Sequence, residues 1–294
     1  MRMLQTRIYV LLIAIIGNIL GFSAQAQNPF STSAIKTTKV DEGLYTFSTS
    51  GARTIAIITE EGVIIGDPIS PSAATMIQTE IAKLTDRPIK YVIYSHQHWD
   101  HVRGAQIFKD AGATIVSHEN CLAHFYNDPH PDVILPDVTY HVRHVIKLGG
   151  RRIELWWFGP NHSDCSTFTY IPDAKIVHIV DTVTPGAVAG GGGRMADLHP
   201  NGFITSLQIL EETLDYDRMI PGHGPPTAPA EAVTIRRQYQ EALMTAVKTE
   251  IDAGTPLNEV ATRIDLPEFS HLSGYNQYLA RNAQRILVYY TIGW

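Results

Sequence analysis

The sequence predicts an α/β fold of layered sheet and helix, on three observations. A cluster of short β-branched runs between Leu44 and Asp67 gives way to a helix-patterned stretch and then to another apolar strand. A second β-rich cluster opens at Arg151 and also leads into helices. Polar, ligand-type residues stand directly after several of these apolar runs, where sheet proteins place their sites. With 294 residues and 44% hydrophobic content, the chain is long enough to bury a substantial core. Its net charge of −6, with no Lys/Arg cluster, excludes a protein built to neutralise a phosphate backbone, so no nucleic-acid partner is expected.

The N-terminus carries Arg2 and Arg7, an apolar run from Ile8 to Phe22, and the small residues Ala24 and Ala26 around Gln25. That is the order of a signal peptide, residues 1–26, cleaved to leave a single mature domain from 27 to 294. The competing reading is an uncleaved anchor. A spanning helix needs about 20 apolar residues, and Asn18 interrupts this shorter run. The expectation is therefore export to the periplasm or medium, with no stable membrane insertion after cleavage.

"LYTFSTS", "RTIAIITE" and "GVIIGD" read as strands of an opening meander, being β-branched or aromatic runs broken by Gly and charged pairs. "PSAATMIQTEIAKLTDR" reads as a helix, with Pro71-Ser72 at its start and Ala74, Ile77, Ile81 and Leu84 on one stripe. "IKYVIYS" is a buried strand. A helix over 105–111, the strand "ATIVSH" and a helix over 119–126 follow. Residues 127–146 hold three prolines and three histidines without clean periodicity and read as a long loop with at most one strand. "RRIELWWFG", "STFTYIP" and "KIVHIVD" form a second meander. Residues 184–200 are Gly-rich and read as a loop lining the pocket; its "GGGG" lacks the Gly-Lys-Ser/Thr of a phosphate loop. "FITSLQILEETL" is a helix, "RMIPGHGPP" a short strand into a turn, and the tail from Ala230 is mostly helical.

The chemistry concentrates in "SHQHWDH", residues 95–101. His96 and His98 are two apart, and on an extended segment such residues point the same way and can reach one ion. Asp100 and His101 follow and, if the chain turns, can face a second. Imidazole with carboxylate suits zinc best among common divalent ions, although geometry also permits Mn, Fe or Co. A catalytic zinc needs about three protein ligands and an open position, so two ions need more donors than this motif holds. His162 after "LWWF", Asp181 after "KIVHIV" and His223 after "RMI" each follow an apolar run. Cys121 and Cys165 make no disulfide framework; one bridge and two unpaired thiols both remain open.

His-x-His-x-Asp-His, then a lone His, an Asp ending a hydrophobic strand and a Gly-His resembles the metallo-β-lactamase superfamily over essentially the whole mature chain. Asp67 in "IIGDP" is similar to the family's early Asp. The resemblance implies a four-layer αβ/βα sandwich, two mixed β-sheets flanked by helices with metals at one edge. It also implies two Zn2+ per chain: one held by His96, His98 and His162, the other by Asp100, His101 and His223, with Asp181 bridging. A paired metal site lowers the pKa of a shared water to about 7, making hydroxide available to attack a small-molecule substrate. Asp100 is also the expected catalytic group, orienting that nucleophile or passing its proton on.

The implied activity is hydrolysis of an activated carbonyl compound: an ester, lactone or thioester, with a β-lactam as the alternative. Asp181 resembles the glyoxalase and lactonase branches, since β-lactamases of the superfamily usually carry Cys or Ser there. Trp99 is similar to the glyoxalase-type motif, but an exported protein meets little glutathione thioester. The lactonase branch usually has Tyr where Thr184 stands, and Arg103 replaces a usual Gly. Trp99, Arg103 and His199 are named as substrate contacts, with Arg103 able to meet an acidic substrate or to cap its loop. His130 is a further pocket candidate. Di-iron members resemble the chain but place Glu where His98 stands.

Overall fold

The computed structural model describes residues 34–188 and 198–293, and residues 32–294 form one compact unit. Residues 1–26, read above as a signal peptide, and residues 189–197 of the Gly-rich stretch lie outside the described residues. The first sheet runs β1 (Lys36–Asp41), β2 (Leu44–Thr49), β3 (Ala52–Ile58), β4 (Val63–Ile65), β5 (Ile89–Ile93), β6 (Thr114–His118) and β7 (Val138–Tyr140), in that spatial order. Its first four strands are an antiparallel meander and the rest pair in parallel. The parallel connections are made by α1 (Pro71–Ala82) and by the short helices α2 (Trp99–Val102), α3 (Gln106–Asp110) and α4 (Cys121–Asn127).

The second sheet has the order β13 (Ala228–Pro229), β12 (Arg218–Pro221), β11 (Ile176–Ile179), β10 (Phe168–Ile171), β9 (Arg151–Trp156) and β8 (Arg143–Leu148). Only β11 and β12 pair in parallel, with α5 (Pro200–Thr213) in the crossover. The helices α6 (Glu231–Asp252), α7 (Leu257–Arg263) and α8 (Tyr275–Ile292) complete the chain. Two mixed sheets flanked by helices are thus the architecture, and among the described residues no helix is long and apolar enough to cross a membrane.

Strand alternation builds the layers. On β3, Ile55 and Ile57 enter the core between the sheets with Ile153, Leu155 and Ile220, whereas Ala52 and Ala56 face α1 with Ala73, Ala74 and Ile77. A third core joins the second sheet to α5–α8 through Val177, Phe203, Leu243 and Ile286. Each such Leu or Ile, fully buried, contributes roughly 1.5–3 kcal/mol relative to exposure. Helix α1 starts where expected: Ser70 accepts from Ala73 N–H at 3.2 Å and Pro71 opens the first turn.

The structure differs from the sequence reading in three places and decides a fourth that stood open. Residues 127–146, read as a loop with at most one strand, hold β7 and the start of β8; β8 is the outer strand of its sheet, so the apolar run of a central strand is not required. Strand β1, "KTTKVD", is likewise an edge strand with no buried residue, and its polar sequence gave no signal. Leu84 lies beyond α1 and is 39% exposed rather than on its buried stripe. Cys121 and Cys165, for which two readings stood open, are joined by a disulfide.

Candidate metal centre

Ligand-type side chains from four strand ends meet at one edge of the sandwich. His96 and His98 follow β5 and Asp100 and His101 sit on α2; His162 lies after β9, Asp181 after β11 and His223 after β12. They form two groups, His96–His98–His162–Asp181 and Asp100–His101–Asp181–His223, whose donor atoms within each group lie within 4.8 Å of one another. In the first, His98 Nδ1 stands 2.9 Å from His96 Nε2 and 3.2 Å from His162 Nε2. Asp181 Oδ2 is 3.8 Å from His96 Nε2 and 3.7 Å from His162 Nε2. In the second, Asp181 Oδ2 lies 3.2 Å from His101 Nε2, Asp181 Oδ1 lies 3.0 Å from His223 Nε2, and Asp100 Oδ2 is 3.8 Å from His101 Nε2.

These spacings fit an ion at each centre. Donors about 2.0–2.1 Å from a tetrahedral zinc stand roughly 3.3 Å apart, and the separations bracket that value. His101 Nε2 and Asp181 Oδ1 are buried without an aligned hydrogen bond, although both lie near charged neighbours. Leaving such groups unsatisfied costs about 1–3 kcal/mol each, a cost that coordination removes. The groups share one carboxylate, Asp181, whose φ of 58° lies in the left-handed region that side chains other than Gly, Asn and Asp rarely occupy. Its space is kept open by Gly222: a Cβ there would lie 2.7 Å from Val180 Cγ1 and 3.0 Å from Asp181 Oδ1.

Outer partners fix the rings. His96 Nδ1 lies 2.8 Å from Ser95 Oγ, and His223 Nδ1 donates to the Gly51 carbonyl at 2.8 Å, leaving each Nε2 turned inward. The fully buried Asp67 accepts from Ser95 N–H at 2.8 Å through Oδ1, while its Oδ2 lies 3.3 Å from His101 Nδ1, near enough to pair though off hydrogen-bond alignment. Asn161 accepts from His162 N–H at 2.6 Å and from the Thr182 hydroxyl at 3.1 Å, tying that loop to the turn after β11.

The electrostatics follow from burial. Burial holds the His96 imidazole well below its usual range, helped by His98 and His101. Burial would also lower His101 and His223, but Asp181 outweighs it at both, and Asp67 adds to the effect at His101; both are raised. Burial alone would raise the Asp181 carboxyl, but His101 and His223 hold it well below the carboxylate range. Asp181 thus favours its ionised form and favours a proton on His101 and on His223, protons that an entering metal would have to displace.

Of the named substrate contacts, none belongs to either ligand group. Trp99 is 46% exposed and packs against His130 with ring centroids 4.6 Å apart. Arg103 Nε donates to the Trp99 carbonyl at 2.6 Å. His199 precedes α5, its N–H bound to the Asn161 carbonyl at 2.8 Å. Sequence reasoning missed Ser95 and Asn161, whose flanking positions beside His96 and His162 were the available signal. His178, which matches no motif position and reads as a packing residue, is buried between the sheets, where desolvation pushes its pKa down to about 4.

The family model described as the metallo-beta-lactamase superfamily matches residues 51–223. A 2,4-dinitroanisole O-demethylase subunit alpha from Nocardioides sp. (strain JS1661) is 25% identical over 269 residues, covering 85% of this chain and 78% of the relative. A metallo-beta-lactamase from Pontibacter korlensis superposes with a TM-score of 0.63 at 19% identity, over 70% of this chain and 99% of that one. A stereoselective inverting sec-alkylsulfatase from Pseudomonas sp. superposes with a TM-score of 0.74 at 16% identity, over 87% of this chain and 50% of that one. At these identities the structural likenesses carry the fold alone.

Proposed function

The chain belongs to the metallo-β-lactamase superfamily, and from that premise we propose that it is an exported, dinuclear zinc hydrolase of ester-like small molecules, lactones and thioesters included. The observation that carries the proposal is Asp181, whose carboxylate oxygens stand 3.0–3.8 Å from imidazole nitrogens of both groups, so that it could serve an ion in each. Bound ions supply Lewis-acid polarisation of the substrate oxygen and a water ionised near neutral pH.

The remaining work falls to side chains. Buried His96 and His101, with the tethered His162 and His223, hold the donor geometry rigid. The Asp100 side chain is 53% exposed; of the two carboxylates in the groups it is the one open to an entering molecule, able to orient the attacking water and hand its proton to the departing atom. Trp99 and His130 offer an aromatic surface beside it on which an apolar substituent can rest. The leader supports export, and so does the disulfide, since such bonds persist in oxidising compartments.

The named relatives include an O-demethylase and an alkylsulfatase, so fold alone does not choose the substrate. A β-lactam is the second reading: the all-histidine second group beside Asp100, together with export, suits it, while Asp181 speaks against it. The test is a panel of lactones, carboxylic esters, thioesters, β-lactams and sulfate and phosphate esters offered to the zinc-loaded mature protein. Lactones or esters are expected to give kcat/KM at least about tenfold above a chromogenic cephalosporin, roughly 1.4 kcal/mol of transition-state preference. Cephalosporin turnover at equal or higher kcat/KM would reverse the order, and two irons in the purified protein would remove zinc from the proposal.

A further inference from the structure

Arg53 sits near the start of β3 in the first sheet, but its partners lie in the second. Its Nη1 donates to the Pro225 carbonyl and its Nη2 to the Gly224 carbonyl, both at 2.8 Å. Those carbonyls belong to the turn after β12, directly beyond His223. From the same β2–β3 turn, the Gly51 carbonyl accepts the His223 Nδ1 proton at 2.8 Å. The segment 51–53 thus grips the His223 turn at three points.

The placement breaks the pattern of its strand. Arg53 shares the phase of Ile55 and Ile57, which face the inter-sheet core, and it is only 6% exposed. A guanidinium at such a position is costly to desolvate unless it is hydrogen-bonded, and burial lowers its pKa. Among the described residues it has no carboxylate partner; its two fork nitrogens are satisfied by successive backbone carbonyls, a geometry that suits arginine and not lysine. Gly224, with φ of +97°, turns the chain between them.

What the grip secures is a ligand with little other support. His101 is fully buried, whereas the His223 side chain is 35% exposed and reaches the centre from a turn. We propose that Arg53 is a positioning residue: it holds the His223 turn so that Nε2 stays within reach of Asp181, and it thereby sets the affinity of the second metal group without affecting the first. The inference rests on the two-metal reading given above. It is selective because the ligand this turn carries, His223, belongs to the second group and not to the first.

The experiment is a zinc titration of the mature, metal-stripped protein against a chromophoric chelator. Wild type is expected to bind two equivalents. In Arg53→Met the first equivalent should keep its affinity and the second should weaken by roughly 10–100-fold, the range for loss of an outer partner of a ligand; Arg53→Lys should fall between. Arg218→Met is the control, because Arg218 also ties the sheets together, through Asp41 Oδ2 at 2.7 Å, at the opposite end of β12; it should leave both equivalents unchanged. Wild-type affinity for the second equivalent in Arg53→Met, equal weakening of both, or the same loss in Arg218→Met would overturn the proposal. Wild type binding fewer than two equivalents would instead overturn the two-metal reading. If Arg53→Met does not fold by circular dichroism, Arg53→Lys carries the same comparison.

Discussion

In Asp181→Asn, turnover is expected to fall by more than the roughly 100-fold that marks the upper range for losing an outer partner of a metal ligand, with the fold retained. Asparagine is the informative replacement. It keeps the size of the side chain and tolerates the left-handed backbone at φ 58°, where alanine would add strain. What it removes is the charge that faces His96, His101, His162 and His223 at once. Activity within tenfold of wild type, at unchanged metal content, would show that Asp181 does not join the two groups. Loss of activity together with loss of circular dichroism would point to folding, and the variant's unfolding midpoint separates the two.

The second large effect concerns the bridge between Cys121 at the start of α4 and Cys165 in the loop that carries His162. The cross-link closes a sequence separation of 44, for which the chain-entropy relation gives about 4 kcal/mol. Both cysteines are fully buried. The same loop is held by Asn120 Nδ2 and Trp157 Nε1, which donate to the Asp164 carbonyl at 3.0 and 2.9 Å, and by Thr167 N–H donating to the Ser95 carbonyl at 2.6 Å. The Cys121→Ala/Cys165→Ala double variant should therefore melt roughly 8–16 °C lower by calorimetry. It should also bind its first metal equivalent more weakly, because His162 loses one of its anchors. An unchanged melting temperature would mean that the bridge adds nothing to the folded state.

The candidate metal centre was legible because its chemistry interrupts a pattern. His96, His162, Asp181 and His223 each follow an apolar run, and a polar residue at that point marks a strand end open to a ligand. The central strands were legible for the same reason, being buried on both faces as β4 and β11 are. Edge strands β1 and β8 were not, since one-sided pairing leaves their composition polar. Whether Cys121 and Cys165 pair depends on a Cα–Cα distance of 5.3 Å that only the folded chain creates. Arg53 did leave a trace, a charge in the inward phase of a β-branched strand, but its purpose appears only when the two sheets bring Gly224 and Pro225 against it.

The metal assignments depend on two ions meeting at Asp181, and the metal content of the purified protein tests this most directly. Elemental analysis after gel filtration in metal-free buffer should return two zinc per chain for wild type and at most one for Asp181→Asn. One ion or none in wild type, after incubation with excess zinc, would contradict the dinuclear centre.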